Sequence, residues 1–121
     1  MKHILLVLLL CLPAMVVAQS NPFADVAKSG GDFIRTCESA TQDARSPHGL
    51  ECFAWLSGVI EGMDAGFNGC KTFPYKLPTN ITLGQIGKIS VKYINDHPES
   101  MNRPTSLLVL WALVDAYPTK K

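Results

Sequence analysis

The sequence predicts an all-α fold, a small bundle of about four helices, and three observations lead to that prediction. Apolar residues recur at steps of three and four, which is typical of helices that bury one face. Serine, threonine and proline stand where these periodic segments begin and end. No segment of useful length alternates between polar and apolar residues as a strand does. We therefore expect one bundle around a single modest core.

The first 18 residues have the composition of a secretory signal peptide. Lys2 and His3 precede an unbroken apolar run over residues 4–12, and the residues up to Ala18 suit a cleavage site. The run is too short for a membrane span, which needs about 20 residues. We expect cleavage after Ala18 and an exported protein, periplasmic or otherwise secreted. The polar residues 19–31 end in Ser-Gly-Gly and are predicted to be a flexible segment before a helical domain at 32–121.

The charge balance argues against binding to nucleic acid. The chain has 11 Lys and Arg against 10 Asp and Glu, and cleavage removes Lys2 alone, which leaves the two signs equal. Nucleic acids and anionic membrane surfaces are bound mainly through an excess of Lys and Arg. We expect no nucleic-acid partner and no membrane contact in the mature form.

The first two helices are predicted at residues 32–40 and 47–66. Phe33, Ile34 and Cys37 share one face of the first. Ser46 suits the N-cap of the second, and Pro47 its first position. Apolar residues then form one stripe: Leu50, Phe53, Leu56, Ile60, Met63 and Phe67.

Glycines recur every four residues in the second helix, at Gly58, Gly62 and Gly66. Each costs about 1 kcal/mol in a helix interior relative to alanine. Their common face predicts that another helix backbone approaches closely, most simply within the subunit. The alternative is a weak, kinked helix.

Two further helices are predicted after an irregular segment at 68–80. Thr82 and Gln85 form a capping box, and Pro98 ends the helix that it opens. One face of that helix carries Leu83, Ile86, Ile89, Tyr93, Ile94 and His97. The last helix is expected at 104–117. Its residues 107–114 are all apolar, which predicts either the central helix or a subunit-contact helix.

Three cysteines remain after cleavage: Cys37, Cys52 and Cys70. A small domain in an oxidising compartment often contains a disulfide, and three thiols allow three pairings. The spacings match no zinc-binding pattern. We predict no metal and no cofactor.

No catalytic set is evident in the sequence. His48 and Cys52 share a helix face and could form a nucleophilic pair, but a structural disulfide at Cys52 is the simpler interpretation. His97 lacks a carboxylate or nucleophile at fixed spacing. Glu61 and Asp64 alone do not specify an enzyme. We therefore predict that the protein acts by binding and not as an enzyme.

Several motifs occur in a fixed order over about 85 residues. They are Cys37, Cys52-x-x-Trp55-x-x-Gly58, Leu77-Pro78, Thr82-Leu83-Gly84-Gln85, Tyr93-Ile94-x-x-His97-Pro98 and Ala116-Tyr117-Pro118. In this order and spacing the chain resembles the immunity proteins of type VI secretion amidase effectors, the Rap/Tai family. The resemblance implies a periplasmic, mostly helical and often homodimeric inhibitor, which binds a peptidoglycan amidase and occludes its active-site cleft.

The resemblance also implies which cysteines pair. Two family cysteines are replaced here by Lys76 and Thr119, as expected if one disulfide is lost. The retained pair is then Cys37–Cys52. Cys70 is the odd thiol, which either stays outside any disulfide or bridges two subunits.

Contact with the amidase is expected in a connector, because plugging a cleft needs a protruding segment. The candidates are residues 68–80 and 95–103. The second carries Asp96, His97, Glu99 and Arg103, which can pair with a polar cleft; the alternative is an ordinary solvated turn. Three other functions remain as alternatives: a periplasmic stress chaperone, an enzyme using His48, Cys52 or His97, and an exported binding protein with an unidentified partner.

Overall fold

The computed structural model describes residues 28–70 and 73–119, so the predicted leader and most of the polar segment after it lie outside the described residues. The described residues form four α-helices and one short 3-10 helix, with no β-strand. The helices are α1 (Gly30–Gln42), α2 (Pro47–Cys70), α3 (Leu83–Asp96) and α4 (Thr105–Ala116), with the 3-10 helix Pro98–Ser100 between α3 and α4. The predicted all-α bundle is confirmed.

The first helix begins earlier than the sequence predicted. Ser29 caps α1, because its hydroxyl accepts a hydrogen bond from the Asp32 N–H at 3.2 Å. The Gly30 N–H donates to the carbonyl oxygen of Met101 at 3.0 Å. A Cβ on Gly30 would come within 2.9 Å of side chains in α3 and α4. The flexible break predicted at residues 29–31 is therefore wrong, since the serine is a cap and Gly30 allows the end of α1 to pack closely.

The second helix starts where predicted and continues further. Ser46 accepts a hydrogen bond from the Gly49 N–H at 3.0 Å through its side chain, as an N-cap does. The helix runs through Gly66 to Cys70, so residues 68–70, predicted to be irregular, are helical.

At the start of α3 the predicted capping box is present. The Gln85 N–H donates to the Thr82 hydroxyl oxygen at 3.2 Å, and the Thr82 N–H donates to the Gln85 side-chain oxygen at 2.8 Å.

The core lies where the four helices meet. α1 packs along α2 and α3, α3 packs along α4, and α2 and α4 make little direct contact. The fully buried apolar side chains are Phe33, Cys37, Cys52, Leu56, Ile94, Leu108, Val109 and Leu113. The described residues contain one disulfide, Cys37–Cys52, which joins α1 to α2 with an S–S distance of 2.02 Å. This is the pairing that the family resemblance implied.

Two predictions about helix faces are corrected by the packing. In α2 the buried residues are Gly49, Cys52 and Leu56, whereas Leu50 is 61% exposed. The buried face is thus rotated away from Leu50 toward the disulfide. In α4 only half of the apolar run 107–114 is buried, and α4 packs mainly on α3, so it is not the central helix of the subunit. Within the described ranges, no helix is long and apolar enough to span a membrane.

Candidate functional site

The turn between α3 and α4 carries all four side chains that the sequence singled out for partner contact. Asp96 is the last residue of α3, His97 is its C-cap, and Glu99 lies in the 3-10 helix. Arg103 follows just before α4. Asp96, Glu99 and Arg103 are exposed, and His97 is half-buried. The structure therefore places the four candidates together on one short turn.

This turn is held by its own backbone and by α1. The Ser100 N–H donates to the His97 carbonyl at 2.9 Å, and the Arg103 N–H donates to the Ser100 carbonyl at 2.9 Å. The Met101 carbonyl accepts from the Gly30 N–H at the start of α1. Because consecutive hydrogen bonds fix the chain path, the charged side chains project from a defined base.

Two of the four candidates already have partners within α3. Lys92 pairs with the Asp96 carboxylate, and this hydrogen bond raises the pKa of the Lys92 ammonium. The Nδ1 of His97 lies 2.8 Å from the carbonyl oxygen of Tyr93. A carbonyl only accepts, so Nδ1 carries the proton and donates. The His97 ring also stacks on the Tyr93 ring, with centroids 4.2 Å apart and an interplanar angle of 23°.

The other connector, described from residue 73 onward, is anchored by aromatic side chains. Phe73 and Tyr75 lie against Phe67 of α2, with ring centroids 5.8 and 6.2 Å apart. An isolated antiparallel bridge pairs Tyr75 with Pro118. Burial of the phenol, with the Asp64 carboxylate as a second cause, raises the pKa of Tyr75. Within the described residues 73–80, Lys76 is the one charged residue, and it is exposed. This part of the connector therefore presents fewer charges than the α3–α4 turn.

The residues considered for catalysis do not form a reactive set. Cys52 is buried in the disulfide, so it has no thiolate to pair with His48. The His48 Nδ1 instead lies 3.8 Å from the Glu51 carboxylate. Glu61 accepts a hydrogen bond from the Ser57 hydroxyl at 3.2 Å. Among residues 28–70 and 73–119, no three His, Cys, Asp or Glu side chains are grouped as metal ligands would be.

The glycines of α2 occupy a different environment from the one predicted. A Cβ placed on Gly58, Gly62 or Gly66 would meet nothing within 4 Å, and all three are exposed. The close helix contact predicted within the subunit is therefore wrong. Two of these glycines line a groove of about 360 Å³ between α2 and α4, with Val59, Met63, Ser106, Leu107 and Leu110. Sequence reasoning marked the glycines but not the groove, since α2 and α4 are distant in the chain.

Comparison with known proteins identifies the family of this bundle. A family model described as Rap1a immunity proteins matches residues 29–119. No curated protein and no solved structure matches the chain. The matched segment begins at the cap of α1 and ends just after the bridge that holds the second connector, so it includes all four helices and the α3–α4 turn. The chain therefore belongs to the Rap1a immunity protein family, which implies a toxic effector as its partner.

Proposed function

We propose that this protein is exported to the periplasm, binds a type VI secretion peptidoglycan amidase there, and occludes its active-site cleft. The observation that carries the proposal is the family match over residues 29–119. The amidase class comes from the motifs that resemble immunity proteins of such effectors. Occlusion requires a surface of suitable shape and charge, and it requires no chemistry from the inhibitor.

The α3–α4 turn is the segment that we propose enters the cleft. It has a defined backbone, so little conformational entropy is lost when a partner binds. Glu99 and Arg103 are exposed and have no ion-pair partner among the described residues, which leaves them available to an effector. Complementary charges at such a rim give specificity and faster association.

The proposal predicts that a gene for a small cysteine amidase lies beside the gene of this protein. The test mixes the protein with that amidase and measures peptidoglycan hydrolysis and the dissociation constant. The wild type should inhibit, and Arg103→Glu should weaken binding by about tenfold or more. Arg45→Glu is the matched control. Arg45 lies beyond the far end of the 13-residue α1, about 20 Å from the turn. Full amidase activity in the presence of wild-type protein would contradict the proposed function, whereas unchanged inhibition by Arg103→Glu would exclude only the turn.

We also propose that two copies pair through the groove between α2 and α4. Gly58 and Gly62 leave the α2 backbone open along this face, and Leu107 and Leu110 of α4 border it half-buried. Glycine on an exposed helix face destabilises the monomer by about 1 kcal/mol relative to alanine. Close approach of a second subunit would explain this composition, since a bare backbone lets two helices pack tightly.

Sedimentation of the wild type and two bulky variants tests the dimer. Gly62→Trp fills the groove and should shift the protein to monomer. Lys88→Trp, on the exposed rim of a different groove between α1 and α3, should leave the dimer intact. A wild-type monomer at high micromolar concentration, or a dimer that tolerates Gly62→Trp, would contradict this pairing.

A further inference from the structure

A second groove, between α3 and α4, combines aromatic side chains with a carboxylate. It has a volume of about 470 Å³ and is lined by Tyr93, His97, Trp111, Val114 and Asp115. Asp115 is exposed and the other four are half-buried, so the groove is open to solvent. It is continuous with the α3–α4 turn, because His97 belongs to both.

The groups that line this groove are electron-rich. The faces of the Tyr93 and Trp111 rings carry negative electrostatic potential. The Nδ1–H of His97 is used by the Tyr93 carbonyl, and the tautomer with this proton alone leaves the Nε2 lone pair to accept. Asp115 contributes a carboxylate. The two ring faces and the carboxylate therefore suit a cation with hydrogens to donate.

The cations around the groove attract Asp115 only from a distance. Lys92 on α3 pairs with Asp96 and acts on Asp115 only through a longer-range attraction. Within the described part of the chain, no Lys, Arg or His lies at ion-pair distance from Asp115. A cation entering the groove would therefore meet a carboxylate that is not already bound.

We propose that this groove is an arginine-docking site, which receives an arginine side chain from the protein that the immunity protein binds. A planar guanidinium can stack on the Trp111 indole while its N–H groups bind the Asp115 carboxylate. A lysine ammonium suits the groove less well, since it is a compact, strongly hydrated charge that cannot stack or bind a carboxylate in a fork. That the arginine belongs to the effector rests on the proposed function.

Titration of the protein alone with small probes tests the groove without any effector. The probes are Nα-acetyl-arginine amide, the lysine equivalent, and the citrulline equivalent, which has nearly the shape of arginine but no charge. Arginine should shift the Trp111 indole N–H resonance with a millimolar dissociation constant, lysine more weakly and citrulline hardly at all. Trp55, which packs against Phe33 with ring centroids 5.7 Å apart, provides an internal reference signal. Equal shifts from arginine and citrulline, or none from arginine, would overturn the proposal.

Substitution of the carboxylate separates this inference from the proposed function. Asp115→Asn keeps shape and exposure, and it should weaken arginine binding by about threefold to tenfold. Glu38→Gln, which removes an exposed carboxylate at a different groove between α1 and α3, should have little effect. In the complex with the amidase, Asp115→Asn should raise the dissociation constant to a similar degree. An amidase complex unaffected by Asp115→Asn would contradict the docking site and leave the proposed function standing. Arginine binding without any amidase complex would contradict the proposed function and leave an arginine-binding groove.

Discussion

The two halves of α2 have similar apolar periodicity and different surroundings. In residues 47–57, Gly49, Cys52 and Leu56 are buried against α1 and the core. In residues 58–70 no residue is fully buried, and Gly58 and Gly62 face open space. The first half contributes side chains to the core of the subunit. The second half extends past that core and stays partly exposed to solvent. A helix can therefore contribute to the core at one end and present a surface at the other, while its apolar residues keep the same spacing.

The largest effect should come from the core of the first half. Leu56 is completely buried, so Leu56→Ala should lower the free energy of unfolding by about 3 to 4 kcal/mol through lost burial and a residual cavity. Leu50→Ala is the matched control in the same half of α2. Leu50 is 61% exposed, so this change should stay within about 0.5 kcal/mol of wild type. Urea denaturation measures both, and similar losses at the two positions would show that the two faces of the helix are misassigned.

Removal of the disulfide should have the next largest effect. Cys37 and Cys52 are 15 residues apart, and opening a loop of that length should lower the free energy of unfolding by about 3 kcal/mol in the double alanine variant. Cys70→Ala leaves the disulfide in place and serves as the control. Intact mass should rise by two hydrogens on reduction of Cys70→Ala and not at all for the double variant. A disulfide that joins Cys70 to Cys37 or Cys52 would contradict the structure.

Replacing a glycine by alanine should change the free energy of unfolding in opposite directions in the two halves of α2. A Cβ on Gly49 would lie 2.6 Å from the carbonyl oxygen of Asp43, and backbone cannot move aside as a flexible side chain can. Gly49→Ala should therefore destabilise the protein by about 1 to 3 kcal/mol. Gly62→Ala meets no atom within 4 Å and should stabilise the monomer by about 0.5 to 1 kcal/mol through helix propensity.

Thermal unfolding under conditions where the protein is monomeric measures both glycine variants. Gly62→Ala should also weaken the proposed dimer, because the added methyl group keeps a second backbone at a distance. Stabilisation by Gly49→Ala would show that the start of α2 is not packed against the α1–α2 connector. A loss of monomer stability in Gly62→Ala would show that this face is covered within the subunit.

Local signals in the sequence predicted where helices begin better than which faces they bury. The sequence identifies Ser46 and Thr82 as caps, because a cap depends on residues within one turn. The apolar stripe predicts a buried Leu50 because it gives only a period, and the direction of the covered face depends on where distant helices lie. The Ser-Gly-Gly sequence predicts a break at Gly30 for the same reason, since the neighbours of Gly30 in α3 and α4 are far along the chain.

In the candidate site, too, features formed by residues close in sequence could be predicted, and features formed by distant residues could not. Asp96, His97 and the two other charged residues of the turn are close in sequence, so their common location could be predicted. The arginine groove could not, because Tyr93 and Trp111 lie on different helices and meet only after α3 and α4 pack. The disulfide was predicted through family resemblance, since three thiols alone left three pairings open.

The smallest effect concerns the start of α1, the helix that covers the buried half of α2. The hydrogen bond from Ser29, with Arg35 nearby, holds the pKa of Asp32 below its ordinary value of 3.8. A lowered pKa means that this carboxylate stabilises the fold above about pH 4 and that the contribution is lost as the pH falls through the lower, folded-state pKa. Asp32→Asn should thus cost about 0.5 kcal/mol at both pH 7 and pH 5, since Asp32 also lies in the first turn of the helix, and progressively less below pH 4.

Urea denaturation of wild type, Asp32→Asn and the exposed control Glu38→Gln at pH 7, 5 and 3 tests this last expectation. The difference between Asp32→Asn and wild type should be constant from pH 7 to 5 and shrink at pH 3. A stress chaperone activated by mild acid would instead need a large loss of structure between pH 7 and 5, where the Asp32 contribution does not change. Such a loss would favour the chaperone alternative over an immunity protein with one fixed surface.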